Sequence, residues 1–304
     1  MEPCTSPKLI LGTVQLGMPY GIANTAGQPD RATARRIVQA ALENGITCFD
    51  TAQAYGNSEN VLGAVLEELG ASGEVHIASK LTETLDLADP AAVEAAVDAS
   101  MSRLRTDRLW CMLLHRVSAL DAWDWGLRPV LRRFQAEGRI EQIGVSLNTV
   151  ADAPVALAHP DMAVIQAPCN AWDRRMRERG FLEQARGEGR LCCIRSIYLQ
   201  GLLTMTPEAV ACRLPAAYET AGRWWRLAGE LGVPPKELAM RYALSLQAPL
   251  VIGAESPEQV EDTAHMAADL APLTPQDIQT IASAMDPLLN ETIIEPWRWE
   301  SPAS

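Results

Sequence analysis

Four titratable side chains stand out in this chain of 304 residues: Asp50, Tyr55, Lys80 and His115. Each lies at the end of a separate apolar run or in the loop just after it. The runs are 46–50, with Tyr55 five positions on, 75–80 and 109–115. Their chemistries fit one task. Tyr55 can give a proton to a carbonyl oxygen, Lys80 held by Asp50 can lower the pKa of that phenol, and His115 can orient the carbonyl. A free tyrosine has a pKa of about 10, so at neutral pH it is a slow proton donor. A lysine ammonium within ~4–6 Å favours the phenolate, and acid–base work is most efficient when the catalytic pKa lies near the operating pH. This is machinery for hydride transfer between a nicotinamide and a carbonyl carbon, in which a cofactor supplies the hydride and the protein supplies position and proton. Taken singly, the residues have plainer readings. Asp50 and Lys80 could be a structural ion pair, His115 a core histidine and Tyr55 a loop aromatic.

Groups drawn from distant parts of a chain to successive strand ends imply a parallel α/β barrel, whose active site is built from the loops at one face. Eight candidate strands fit: 9–16, 47–51, 75–81, 108–115, 142–147, 163–167, 191–197 and Leu250–Gly253. Between them run segments with apolar residues at helical spacing, such as Ala34, Ile37, Val38, Ala41 and Leu42 in 31–44, with Gly45 placed to stop that helix. The segments 91–104, 127–137, 175–187 and 235–246 read the same way. Alternation of this kind over about 250 residues predicts a closed (β/α)8 TIM barrel with right-handed crossovers. The competing doubly wound sheet expects a glycine-rich phosphate turn after the first strand, and Gly12-Thr13-Val14-Gln15-Leu16-Gly17 does not spell one. An extra helix over 216–231, a helix at Pro275–Met285 and a tail near the active-site face complete the expectation. No repeat or linker is visible, so one domain over 1–304 is expected, with a core at 8–270 and the C-terminal helix and tail at 271–304.

Hydrophobic residues make up 48% of the chain, enough for a large core. A net charge of −12 and a pI near 4.9 argue against nucleic acid, whose phosphates need a basic surface. Seven cysteines, with Cys48, Cys111, Cys192 and Cys193 inside apolar runs, read as small buried hydrophobes rather than a disulfide framework. No cysteine pair has metal-ligand spacing with histidine nearby, so no metal is expected. The N-terminal stretch 1–8 lacks a basic region followed by an apolar one, and no run reaches the ~18–20 apolar residues that cross a bilayer. A cytoplasmic protein with no membrane partner is expected. A protein partner is not legible.

The run from Gly45 through Asp50-Thr51-Ala52-Gln53-Ala54-Tyr55-Gly56, with Ser58-Glu59, resembles the signature of the aldo-keto reductases. So do Ile77-Ala78-Ser79-Lys80, the strand-end His115, Ile143-Gly144-Val145-Ser146, Val164-Ile165-Gln166 with Asn170, Gln200-Gly201-Leu202-Leu203-Thr204, and Ile252-Gly253-Ala254-Glu255-Ser256-Pro257. The similarity runs in order over about residues 8–270 and is greatest to bacterial members. It implies an eight-stranded barrel that binds an extended nicotinamide dinucleotide, NAD or NADP, without a Rossmann domain. Carried over, Tyr55 is the general acid/base, Lys80 and Asp50 tune it, and His115 orients the carbonyl. Ser146, Gln166 and Asn170 match positions near the nicotinamide carboxamide, and Gly12, Thr13 and Val14 the turn beside the cofactor. Asp50, Asn148, Arg195, Ser196, Tyr198, Gln200, Gly253, Glu255, Gln259 and Asp262 are the further cofactor candidates.

Three departures from the family pattern carry expectations. Glu255 stands where a group for the 2′-phosphate of NADP is expected, Gln259 replaces a common arginine, and Asp262-Thr263 replaces a common Glu-Asn pair. A carboxylate repels phosphate and accepts hydrogen bonds from ribose hydroxyls, so NAD(H) is expected to serve at least as well as NADP(H). Arg195 stands near a common aromatic, and could stack on the nicotinamide, bind an anion or form a structural salt bridge. Tyr20, Trp172 and Trp297 are the candidate substrate-pocket residues, whereas Trp110, Trp123, Trp125, Trp224 and Trp225 should pack outside it. Aromatic faces with a polar tip suit an aldehyde, aldose or sugar-like substrate. Two other classes remain open: a redox-sensing module that holds a cofactor and turns over slowly, and a barrel lyase using Lys80 as a Schiff base.

Overall fold

Eight short strands close on one another in chain order, each parallel to the next, with the last returning to the first. They are β1 (Leu9–Gly12), β2 (Cys48–Asp50), β3 (His76–Leu81), β4 (Leu109–Leu114), β5 (Ile140–Ser146), β6 (Val164–Pro168), β7 (Leu191–Arg195) and β8 (Leu250–Gly253). This computed structural model describes residues 7–299. Residues 1–6 of the stretch searched for a targeting signal, and residues 300–304 of the expected tail, lie outside the described residues.

The register brings the strand ends level. Gly12 pairs with Asp50 on one side and Gly253 on the other, and Ser146 pairs with Gln166. Successive side chains of a strand point to opposite faces, so a site residue at the top of the barrel has its i−2 neighbour below it inside. The smaller of the two core clusters holds those neighbours: Ile10 below Gly12, Cys48 below Asp50, Ala78 below Lys80, Leu113 below His115, Val164 below Gln166 and Cys193 below Arg195. The barrel is thus plugged by small and branched apolar side chains together with Trp110, and the site's polar groups collect in one layer at the C-terminal ends of the strands.

Outside the sheet, helices bury one face each. In Arg31–Glu43, Asp30 caps the first turn by accepting from the Thr33 amide, Ala34, Ile37 and Val38 are fully buried, and Gly45, at φ 73°, ends the helix where expected. Burying an Ile or Val side chain contributes roughly 1.5–3 kcal/mol, which sets the order of that face's contribution. The segment expected as one helix over 175–187 is two, Arg175–Glu178 and Phe181–Gly187, split at Gly180 with φ 69°. The helix between β2 and β3 is Ser58–Glu68. The extra helix is Tyr218–Glu230, and the tail is tied to the loop after β6 by Arg174 with Asp286 and Arg175 with Glu295.

The first expected strand, 9–16, is also corrected. It stops at Gly12, and Val14–Gly17 is a single helical turn. Its apolar residues continue because Leu16 is buried in the outer core, not because the strand goes on. The cysteines at 48, 111, 192 and 193 are buried and unbridged. Among the described residues no helix is long and apolar enough to cross a membrane.

Candidate active site

The centre of the polar layer is an ion pair. Lys80 Nζ donates to both carboxylate oxygens of Asp50 at 2.7 Å and to the Thr51 carbonyl at 2.9 Å. Gln166 Nε2 donates to Asp50 Oδ1 at 2.8 Å, and Ser146 Oγ reaches toward Gln166 Oε1 at 3.5 Å. Lys80 is fully buried and Asp50 nearly so. Burial alone would push the Lys80 ammonium down. The Asp50 charge, the nearby Tyr55 and the hydrogen bonds to Asp50 outweigh it, and the lysine titrates above its ordinary value. Lys80 is therefore a fixed cation, and its Nζ lies 4.9 Å from the centroid of the Tyr55 ring.

Tyr55 is held there by the backbone around it. A Cβ on Gly17 would fall 1.8 Å from the Tyr55 carbonyl oxygen, and one on Gly56 would fall 2.3 Å from the Gly17 carbonyl oxygen. Gly56 also has φ 56°, a left-handed conformation that glycine adopts at little cost. Two glycines in contact thus let the loop after β2 lie on the turn after β1. Ser58 Oγ then locks the two together, donating within reach of the Thr13 carbonyl at 2.7 Å and Thr13 Oγ1 at 2.8 Å. Glu59, also buried, accepts from Ser79 Oγ at 2.6 Å and from Arg103 Nε at 2.7 Å, tying the loop to β3 and to the helix Pro90–Leu104. The Ser58-Glu59 pair in the recognised signature is therefore a clamp on the loop that carries Tyr55.

His115 follows β4 directly and meets Tyr55 edge-on. Burial first, then the charges of Lys80, Arg195 and Arg116, push its pKa down to about 3. It is a neutral imidazole, and its buried Nδ1 has no hydrogen-bond partner.

These groups open onto a cleft of about 440 Å³. Every expected cofactor residue except Asn170 and Asp262 lies on its wall, as does Tyr20. Burial, then the nearby Tyr55, pushes the Tyr20 phenol up, so it stays protonated. Arg195 is neither free nor salt-bridged. Its guanidinium donates to the Leu147 carbonyl at 2.7 Å, to Asn148 Oδ1 at 2.9 Å and to Ser196 Oγ at 3.1 Å, which pins a flat cation between β5 and β7. After β7 the chain turns sharply, with Ser196, Leu199 and Gln200 all at positive φ (62°, 49° and 55°). Such strain persists only where the surroundings over-determine it, and it clusters at ligand-binding loops.

Four expectations land elsewhere. Trp172 is buried and packs edge-on against Trp224, with ring centroids 6.3 Å apart, so it belongs to the core under the loop after β6. Trp297 is 52% exposed on the tail and is not on the cleft wall. Asn170 spends its side chain on backbone groups, accepting from the Trp172 and Asp173 amides of its own loop and donating to the Ser196 carbonyl of the loop after β7. Asp262 pairs with Lys236. Of the tryptophans expected outside the pocket, none lines the cleft: Trp110, Trp123 and Trp224 are buried, Trp125 is exposed, and Trp225, at the border, donates to the Met205 carbonyl. Gln15 and Lys236 are among the wall residues that were missed. Gln15 was hidden inside an apolar run, although a lone amide there was a legible signal. It packs against Gly253, where a Cβ would lie 2.5 Å from its Nε2, and its buried Oε1 has no partner. Lys236 heads a helix far along the chain and gave no signal.

A model of the Aldo/keto reductase family matches residues 8–286. The Bacillus subtilis aldo-keto reductase YhdN is 30% identical over 198 residues, 60% of this chain and 57% of that one. The chain spans about half the length of the curated relatives it matches. Among solved structures, an aldo-keto reductase from Bacillus halodurans in its holo form is 25% identical, with a TM-score of 0.73 over 96% of this chain and 95% of that one. A glycerol dehydrogenase from Gluconobacter oxydans, 21% identical, shares the fold with a TM-score of 0.70 over 98% and 95%.

Proposed function

The chain belongs to the aldo/keto reductase family, whose members use nicotinamide cofactors, and we propose that it interconverts a small aldehyde or ketone with its alcohol, with Tyr55 as proton donor and acceptor. The observation that supports this most is the buried Lys80–Asp50 pair beneath Tyr55, with neutral His115 edge-on, at the wall of one cleft. The dinucleotide supplies the hydride when bound. The wall fits such a group. It offers the amide of Gln15 with an unspent acceptor, the Ser146 hydroxyl, the pinned plane of Arg195, and glycines at positions 12 and 253 that keep the wall open.

The protein's own part is then the proton. In reduction, the Tyr55 hydroxyl donates to the carbonyl oxygen as negative charge grows there, and Lys80 stabilises the phenolate left behind. In oxidation the phenolate takes the alcohol proton back. The His115 N–H holds the same oxygen in line, and because the ring is neutral it orients the carbonyl without competing for the proton. Lys80 itself is unsuited to a Schiff base. Its ammonium donors go to Asp50 Oδ1, Asp50 Oδ2 and the Thr51 carbonyl, which leaves no lone pair for attack.

For the cofactor, Glu255 lines the cleft after β8 and supports use of NAD(H) at least as good as that of NADP(H). For the substrate, the cleft keeps one of the three expected aromatic residues, Tyr20, so support for a sugar-like compound now rests on polar groups and not on a tryptophan box. Purified protein assayed with reduced nicotinamides against a panel of aldehydes, aldoses and ketones tests the proposal. Consumption of the reduced cofactor that depends on carbonyl is expected. Tight cofactor binding with no turnover on any carbonyl would instead favour a sensing module.

A further inference from the structure

One cation on the cleft wall has no part in the proton chemistry. Of the described residues that line the cleft, the full cations are Arg195 and Lys236. Arg195 belongs to the catalytic end, where its charge is one of those that hold His115 neutral. Lys236 belongs elsewhere. It is the second residue of the helix Pro235–Leu244, and its ammonium pairs with Asp262 on the helix Pro257–Asp269 that follows β8. Gln259 and Thr263 of that same helix stand on the wall, and Gln259 Oε1 accepts from the Glu255 amide at 2.8 Å. Residues 253–263 contain no lysine or arginine, so Lys236 brings to this stretch a positive charge that the stretch itself lacks.

We propose that Lys236 is the residue that lets the cleft accept a 2′-phosphorylated nicotinamide dinucleotide, and that Asp262 restrains it by competing for the same ammonium. The proposal rests on reading the cleft as a dinucleotide site. Lys236 and Asp262 are 32% and 58% exposed. Exposed ion pairs contribute little, since water screens them and both side chains give up freedom, so Asp262 is easily displaced. A phosphate monoester carries about −1.5 to −2 charges and three acceptor oxygens, which outbids one carboxylate. A lysine ammonium, a compact cation with three donors, suits it. NAD(H) has no such group. Its ribose hydroxyls need an acceptor, which Glu255 offers. Affinity for NADPH therefore depends on Lys236, and affinity for NADH does not.

The test is a titration of wild type, Lys236→Met and Asp262→Asn with NADH and NADPH, read by quenching of tryptophan fluorescence with no carbonyl present. Lys236→Met should weaken NADPH roughly tenfold, the value of one charge-assisted hydrogen bond, and leave NADH unchanged. Asp262→Asn should tighten NADPH, more so at low salt, where the freed ammonium is least screened. If Lys236→Met weakens both nucleotides equally, or Asp262→Asn leaves NADPH affinity as it was, the assignment of Lys236 fails while the dinucleotide site stands. If wild type binds neither nucleotide, the reading of the cleft and the assignment fall together.

Discussion

The imidazole of His115 stands edge-on to the ring of Tyr55, with centroids 5.7 Å apart and planes at 81°. Two side chains that can hydrogen-bond one oxygen are thereby neighbours. With its pKa pushed down to about 3 from an ordinary 6.5, His115 stays neutral across the physiological range. The sign for stability follows. Above about pH 6.5 neither the folded nor the unfolded chain protonates this ring. Below it the unfolded chain takes up a proton that the folded one refuses until pH falls to about 3, so stability is lost across that window. Histidine NMR should show the His115 ring unprotonated at pH 5. A His115 signal that titrates near its ordinary value would remove it as a neutral orienting group.

Lys80→Met should move alcohol oxidation to higher pH, because the phenolate of Tyr55 loses its cation. It should also cost about 3–5 kcal/mol in urea unfolding, since removing one partner leaves a buried charge unpaired. Adding Asp50→Asn should recover part of that stability and none of the pH shift. A folded Lys80→Met protein with the wild-type pH–rate profile would show that the pair is structural only.

Gly17→Ala places a methyl group where the Tyr55 carbonyl already sits. The loop must move, at a cost of about 1–3 kcal/mol for overpacking, and kcat should fall with it although no reacting group has been altered. Wild-type kcat and urea midpoint in this variant would mean that the contact between positions 17 and 56 does not set the position of the phenol.

Glu255→Ser should shift preference toward NADP(H) by about tenfold, or ~1.4 kcal/mol. A carboxylate about 4 Å from a phosphate costs roughly 1–4 kcal/mol per charge pair between water and a protein surface. Burial pushes the Glu255 carboxyl up, with Arg213 opposing, so its charge already sits in a partly desolvated place. Binding constants for both nucleotides check this. A wild type that prefers NADPH a hundredfold over NADH would contradict the role given to Glu255.

The strands were legible because they are short apolar runs, and several carry a polar residue at or next to the C-terminal end, which the two-residue alternation inside the barrel turns into a site. Asp50, Lys80 and His115 are each one such ending. What stayed hidden depends on contacts between distant residues. Gln166 donates to Asp50 across 116 residues of chain, and nothing in either segment alone announces it. The turn at Val14–Gly17 looked like strand because Leu16 packs outward into the helix layer. Trp172 looked like a pocket wall because its loop is at the right face, yet Trp224, 52 positions later, draws its ring into the core. Lys236 reaches the cleft from a helix whose periodicity marks only its buried side.

Tyr55→Phe is the most direct measurement. It removes one oxygen and leaves the ring beside Lys80 and His115. Single-turnover oxidation of bound reduced nicotinamide, triggered by carbonyl, should slow by at least ~10²-fold, the lower range for losing a general acid. Fluorescence titration should give the same cofactor affinity as wild type. A variant that binds the cofactor normally and keeps half of the wild-type single-turnover rate would take Tyr55, and with it the proton path proposed above, out of the mechanism.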